Sequence, residues 1–157
     1  MKRYLMALGL VAGVAVSSFA QKIAFELNGN FPNTYESILE LKGIGPYTAA
    51  AISSFGFGLP YAVVDGNVFR VLSRVFGIET PTDSTIGKKQ FQQLAQQCLD
   101  TNDPAAYNQA IMDFGATVCK PALPICNQCV LSKNCVAFKN SQVNLLPIKT
   151  KTILRKK

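Results

Sequence analysis

Four cysteines, Cys119, Cys126, Cys129 and Cys135, lie within seventeen residues at spacings of six, two and five. Pro121, Pro124 and Asn127 bend the chain between them. Four thiolates gathered at one point suit a [4Fe–4S] cluster, or tetrahedral zinc. Two disulfides are the alternative if the chain is exported. The fifth cysteine, Cys98, falls on the apolar face of a helical pattern and reads as a core residue. A second constellation is Leu41-Lys42-Gly43-Ile44-Gly45-Pro46-Tyr47-Thr48-Ala49. Two glycines two apart make a tight hairpin between helices and let a partner come close. The helix that follows offers unpaired N–H groups and the positive end of its dipole to an anion such as a DNA phosphate. Such a contact is independent of base sequence; an ordinary interhelical turn is the alternative. The third is Val63-Val64-Asp65-Gly66-Asn67-Val68, where Asp65 reads both as a helix N-cap and as a carboxylate held near a developing positive charge.

These groups need a scaffold, and composition limits what it is. The chain of 157 residues contains no histidine, which excludes a Ser-His-Asp triad, a Cys-His pair and any mixed Cys/His zinc finger. Apolar residues make up 48%, enough for a packed core and too many for a disordered chain. Residues 1–118 carry 8 basic and 9 acidic groups, whereas residues 119–157 carry 8 basic and none acidic. The basic excess therefore coincides with the cysteine segment and suits a polyanionic partner. Lys120, Lys133 and Lys139 lie among or just after the cysteines, and Ile148 to Lys157 reads equally as a solvated basic tail.

The pattern between the motifs is helical. Lys22 to Leu27 is a short amphipathic stretch, and Thr34 caps a helix from Tyr35 to Leu41. Pro46 opens a second helix, Tyr47 to Phe55, rich in alanine. After Asp65, the residues Val68, Val71, Leu72 and Val75 recur at helical spacing. A further helix starts at Ser84 or Thr85, with Phe91, Leu94, Ala95, Cys98 and Leu99 on one face. The last starts at Asp103-Pro104, with Tyr107, Ala110, Ile111, Phe114 and Val118 as its stripe. No convincing alternating strand is present. Met1-Lys2-Arg3, the apolar run Tyr4 to Val16 and Ser17-Ser18-Phe19-Ala20 have the pattern of a secretory signal, too short to span a bilayer; a buried core helix is the alternative.

A glycine hairpin, then Asp-Gly-Asn-Val, then cysteines spaced 6-2-5 resembles the helix-hairpin-helix DNA glycosylases with an iron–sulfur loop, the endonuclease III-like superfamily. Within it the chain most resembles the MutY-type adenine DNA glycosylases, from about Gln21 to about Thr150. The endonuclease III branch has a lysine nucleophile where Tyr47 stands and Thr-His where Gly66-Asn67 stand. Both differences point to the adenine-specific branch, which works without a lysine Schiff base.

The resemblance implies an all-α, partial helix-hairpin-helix DNA glycosylase fold with a C-terminal [4Fe–4S] loop. It implies base-excision repair of double-stranded DNA, hydrolysing the N-glycosidic bond of adenine mispaired with 8-oxoguanine or guanine. Asp65 would steady the cationic sugar or bond to it transiently, with Tyr47 and Asn67 positioning Asp65 and the attacking water. Gly43, Ile44, Gly45, Tyr47, Thr48 and Lys120 would touch DNA, and Cys119, Cys126, Cys129 and Cys135 would hold a structural cluster. The family's general-acid glutamate lies in a Gln-Gln-rich motif upstream, and nothing before Lys42 resembles that motif. Glu26, Glu36 and Glu40 match other parts of the family and do not take the role. The family pattern is thus truncated at both ends, and the chain alone is expected to be a poor glycosylase or an inactive one, since losing a general acid costs about 10²–10⁴ in rate.

The sequence divides into a signal-like or replaced segment (1–20), a helical core (21–118), a cluster loop (119–135) and a basic tail or linker start (136–157). A labile cluster and a DNA target favour a cytoplasmic, nucleoid-associated monomer with no membrane partner, against the signal-like leader. The rival readings are a non-catalytic iron–sulfur DNA-binding module and an exported cysteine-rich helical protein.

Overall fold

The structure, a computed structural model, describes residues 18–150. The leader reading of residues 1–20 therefore lies outside the described residues but for the last three, as do the basic groups of 151–157.

Helix α1 (Ser18–Gln21) runs into a π-helical turn, Lys22–Glu26, and the chain reverses at Asn28 and Gly29, both at positive φ. Helix α2 (Tyr35–Leu39) starts at the expected Thr34, whose hydroxyl accepts from the Ser37 N–H at 3.3 Å. The Thr34 N–H donates back to the Ser37 hydroxyl at 3.3 Å, so two orphan donors are satisfied at once. It ends two residues before the expected Leu41. Helix α3 (Pro46–Ala51) begins at Pro46 and passes into a second π turn, Ile52–Gly56, rather than staying α-helical to Phe55. Beyond it, with Gly58 at φ 64°, Leu59 N–H bonds back to the Ser53 carbonyl at 3.0 Å and ends the turn.

Asp65, Ser84 and Asp103 cap α4 (Gly66–Phe76), α5 (Thr85–Cys98) and α6 (Pro104–Thr117) as the sequence indicates. A 3₁₀ turn, Cys126–Gln128, and α7 (Val136–Lys139) complete the chain. Helix α4 is the centre. Its Val68 and Leu72 pack with Phe91 and Ala95 of α5 and with Ala62, and Phe69 meets Phe91 edge to face at 5.2 Å. Burying a side chain such as Leu72 or Phe91 contributes about 1.5–3 kcal/mol. Ile38, Leu41, Ala49 and Ala50 form a second small core where α2 meets α3. Helix α6 packs against both α4 and the π turn that continues α3, and so joins the two cores. Among the described residues there is no β-strand, and no helix is long and apolar enough to cross a membrane.

Candidate functional site

The hairpin is built by backbone geometry. Gly43 has φ of 92°, a conformation that glycine adopts without the penalty of a Cβ. Gly45 is the extended N-cap of α3 and gives no side-chain cap, so the first N–H groups of the helix keep no side-chain partner. A Cβ added at Gly43 or Gly45 would meet nothing within 4 Å, so the outer face of the notch is open to a partner. Ile44 N–H closes the turn onto the Leu41 carbonyl at 2.9 Å. Tyr47 stands on the first turn of α3, 50% exposed, beside the partly buried Thr48.

The segment leading to Asp65 is extended but belongs to no sheet, and amide side chains take the place of a ladder. Gln96 accepts from Ala62 N–H at 3.0 Å and donates to the Pro60 carbonyl at 2.7 Å. Gln92 donates to the Ala62 carbonyl at 3.0 Å. Asn108, 1% exposed, accepts from Val63 N–H at 3.0 Å and donates to Tyr61 O at 2.9 Å and to the Ser54 hydroxyl at 2.8 Å. One buried amide on α6 thus ties the hairpin unit to the approach to Asp65.

Asp65 then receives three donors. Its Oδ1 accepts the N–H groups of Asn67 and Val68, both at 2.8 Å, and its Oδ2 accepts Asn67 Nδ2 at 2.9 Å. The carboxylate is held in one orientation at the positive end of α4. Asn67 is held in turn by Arg70 Nη2, which donates to its Oδ1 at 2.8 Å. Gly115 of α6 fixes its backbone, because a Cβ there would lie 2.7 Å from the Asn67 Cβ. Arg70 also donates to the Gly115 carbonyl at 2.6 Å and, through Nε, to the Cys119 carbonyl at 2.7 Å. Burial lowers its pKa, while Cys119 and Asp65 act in the opposite direction. A continuous hydrogen-bonded path therefore runs from Asp65 through Asn67 and Arg70 to Cys119. Beside it lies a groove of about 640 Å³ along Gly66 and Phe69, walled by Arg70, Arg74, Lys88 and Lys149 against the single acid Asp83.

The structure brings Asp65 and Asn67 together but makes no hydrogen bond between Asp65 and Tyr47 among the described residues.

Cys119, Cys126, Cys129 and Cys135 line one apolar pocket with Val75, Phe114 and Phe138 among its walls. Burial raises the Cys126 thiol, and Cys119 and Cys135 beside it push the same way. All five cysteines are free in the structure. Among the described residues, no three Cys, Asp or Glu side chains converge closely enough to hold one metal ion. An all-thiol pocket with apolar walls matches the donor chemistry of a [4Fe–4S] cluster, as it does that of zinc. Lys120 enters the loop with its carbonyl held by Arg74 Nη1 at 2.8 Å. Cys98 is half-buried on α5 and its thiol pKa is raised by that burial, as a core residue's would be.

Sequence reasoning missed Asn108, Gln92, Gln96, Arg70, Arg74 and Gly115. Arg70 and Arg74 sit on the same helix as the expected valines, and their spacing of four was a local signal. Nothing local marked the amides or Gly115.

The helix-hairpin-helix motif family matches residues 26–55. Adenine DNA glycosylase from Homo sapiens is 47% identical over 119 residues, covering 75% of this chain and 22% of the relative. A thermostable thymine-DNA glycosylase superposes with a TM-score of 0.72 at 32% identity, covering 78% of this chain and 56% of its own. The fold of endonuclease III in a non-covalent DNA complex also matches, with a TM-score of 0.65 at 24% identity over 78% of this chain and 56% of that one. The chain thus spans under a quarter of the human relative's length and about half that of the solved structures.

Proposed function

Over the stretch that it shares with them, this chain belongs to the MutY-type adenine branch of the helix-hairpin-helix DNA glycosylases, and we propose that it serves the excision of adenine mispaired with 8-oxoguanine or guanine. The supporting observation is the Asp65 carboxylate, locked by Asn67, Val68 and the head of α4 beside a basic groove.

Breaking an N-glycosidic bond leaves positive charge on the sugar. A fixed carboxylate stabilises that charge without reorganising at the moment of reaction. Asp65 is the stabilising group, and Asn67 sets its direction. Tyr47 is the candidate for shaping the pocket from the hairpin side. Adenine must leave the stack to reach this depth, at a cost of a few kcal/mol. Gly43, Ile44, Gly45 and Thr48 would hold one phosphate through main-chain donors, and Lys120 another.

Cys119, Cys126, Cys129 and Cys135 are the residues that would hold a [4Fe–4S] cluster, whose contribution is structural. The same reading places the protein with DNA in the cytoplasm as a monomer. The test is single-turnover excision on a duplex carrying adenine opposite 8-oxoguanine, run beside a binding assay on the same duplex. Binding without preference for the mispair, together with no excision, would leave only the non-catalytic DNA-binding reading.

A further inference from the structure

We propose that Arg74 is the buried counter-cation of the cysteine loop, a positioning residue that slows iron loss and raises the reduction potential of what the four thiols hold. The inference rests on the reading of those thiols as cluster ligands.

Arg74 is 3% exposed. Its acceptors are the carbonyls of Leu146 (3.0 Å), Lys120 (2.8 Å), Pro121 (3.3 Å) and Cys119 (3.5 Å), and the Cys119 sulfur (3.5 Å). None is a carboxylate. A guanidinium buried among neutral dipoles is costly unless an anion nearby balances it. The carbonyls account for the geometry but not for the charge.

The anion is supplied by the loop. The Arg74 side chain grips the first cysteine and the two residues after it, while its main-chain carbonyl accepts from the Cys135 thiol at 3.3 Å. One residue therefore contacts the first and last of the four sulfurs. Against a cluster-bound Cys119 sulfur, the Arg74 Nη1 contact at 3.5 Å would be a charge-assisted hydrogen bond. Arg70, one turn earlier and 8% exposed, reaches the same cysteine by its carbonyl and donates to the Asn67 amide, whereas Arg74 also reaches the Cys119 sulfur itself. That leaves Arg74 as the guanidinium committed to the sulfurs. An iron–sulfur cage with four thiolates carries net negative charge, and its potential responds to hydrogen bonds on sulfur and to nearby charge. Lys133 and Lys139 lie on the exposed surface and are screened by water.

The experiment uses the whole 157-residue chain. Iron and labile-sulfide analysis of the purified protein comes first, and an absence of both overturns the cluster reading itself. With the cluster present, Arg74→Lys, which keeps the charge, and Arg74→Gln, which removes it, are compared by voltammetry on DNA-modified electrodes and by iron release to a chelator. Arg74→Gln is expected to lower the potential and to release iron about tenfold faster, the equivalent of one charge-assisted hydrogen bond. Arg74→Lys is expected to keep a potential near that of the parent. A wild-type potential in Arg74→Gln, even with a lowered melting temperature, reduces Arg74 to a structural clamp and overturns the proposal. If Arg74→Gln does not fold, Arg74→Lys decides: a potential close to the parent upholds the counter-charge, and a clear drop overturns it.

Discussion

The hairpin and the Asp65–cysteine region solve the problem of presenting polar groups in opposite ways. The hairpin has Ile38, Leu41, Ala49 and Ala50 buried behind it and leaves open space outside Gly43 and Gly45. The Asp65 region is held by polar side chains that are themselves buried, Arg70, Arg74 and Asn108, with almost every donor used. On the proposed function, a notch that meets phosphate at any sequence would tolerate local rearrangement, whereas a carboxylate that faces a transient cation would not, and the support of Asp65 is correspondingly redundant. Changes in the second region are therefore expected to cost more than changes in the first.

The largest effect is expected at Asp65. Asp65→Asn keeps an oxygen that can accept from Asn67 and Val68, so α4 stays capped. The charge is lost, together with the bond from Asn67 Nδ2, which an amide nitrogen cannot accept, and excision should fall by about a thousandfold, as for removal of a preorganised electrostatic group. Binding to the mispaired duplex should persist. Equal loss of binding and excision would mean that Asp65 is only a cap.

Arg70→Gln should come next. It strips donors from the carbonyls of Cys119 and Gly115 and frees the Asn67 amide. Breaking such a buried network costs about 3 kcal/mol, readable by urea denaturation. Excision should fall as well, because Asn67 no longer holds Asp65. Stability lost with excision unchanged would show that the path from Asp65 to Cys119 plays no part in the chemistry.

Asn108→Ala probes the joint between the two regions. Val63 N–H and the Ser54 hydroxyl lose their partner in a dry environment, which costs about 2 kcal/mol. Gly115→Ala is expected to cost slightly less, about 1–2 kcal/mol, because the Cβ must displace Asn67. Its signature is a loss of excision larger than its loss of stability. The reverse ranking would place the constraint at Gly115 in the α4–α6 crossing alone.

The same contrast explains what could be read from the sequence. Thr34, Ser84, Asp103 and Asp65 cap helices through partners no more than three residues away, so spacing alone located them. The hairpin glycines and the four cysteines are equally local. Asn108 meets Val63 across 45 positions and Arg70 meets Cys119 across 49, distances over which no periodicity survives. The π turns at Lys22–Glu26 and Ile52–Gly56 were invisible because their composition is ordinary for an α-helix. Tyr47 marks the boundary case: its place on the hairpin helix was legible, while the expected link to Asp65 is not among the hydrogen bonds of the described residues.

The smallest effect is expected at Lys120, and it separates charge from scaffold. Arg74 holds the main-chain carbonyl of this residue, so Lys120→Ala leaves the loop's anchoring in place and should not change the melting temperature. What disappears is one cation facing the DNA backbone. Each neutralised phosphate contributes close to one unit to the slope of log affinity against log salt, so the slope should become shallower by about 0.9. Affinity at low salt should drop a few-fold for matched and mispaired duplexes alike, because phosphate contacts carry no base information. Doubling the salt should shrink the difference between variant and parent. A variant that loses affinity equally at every salt concentration, or that unfolds more easily, would move Lys120 from the interface into the scaffold.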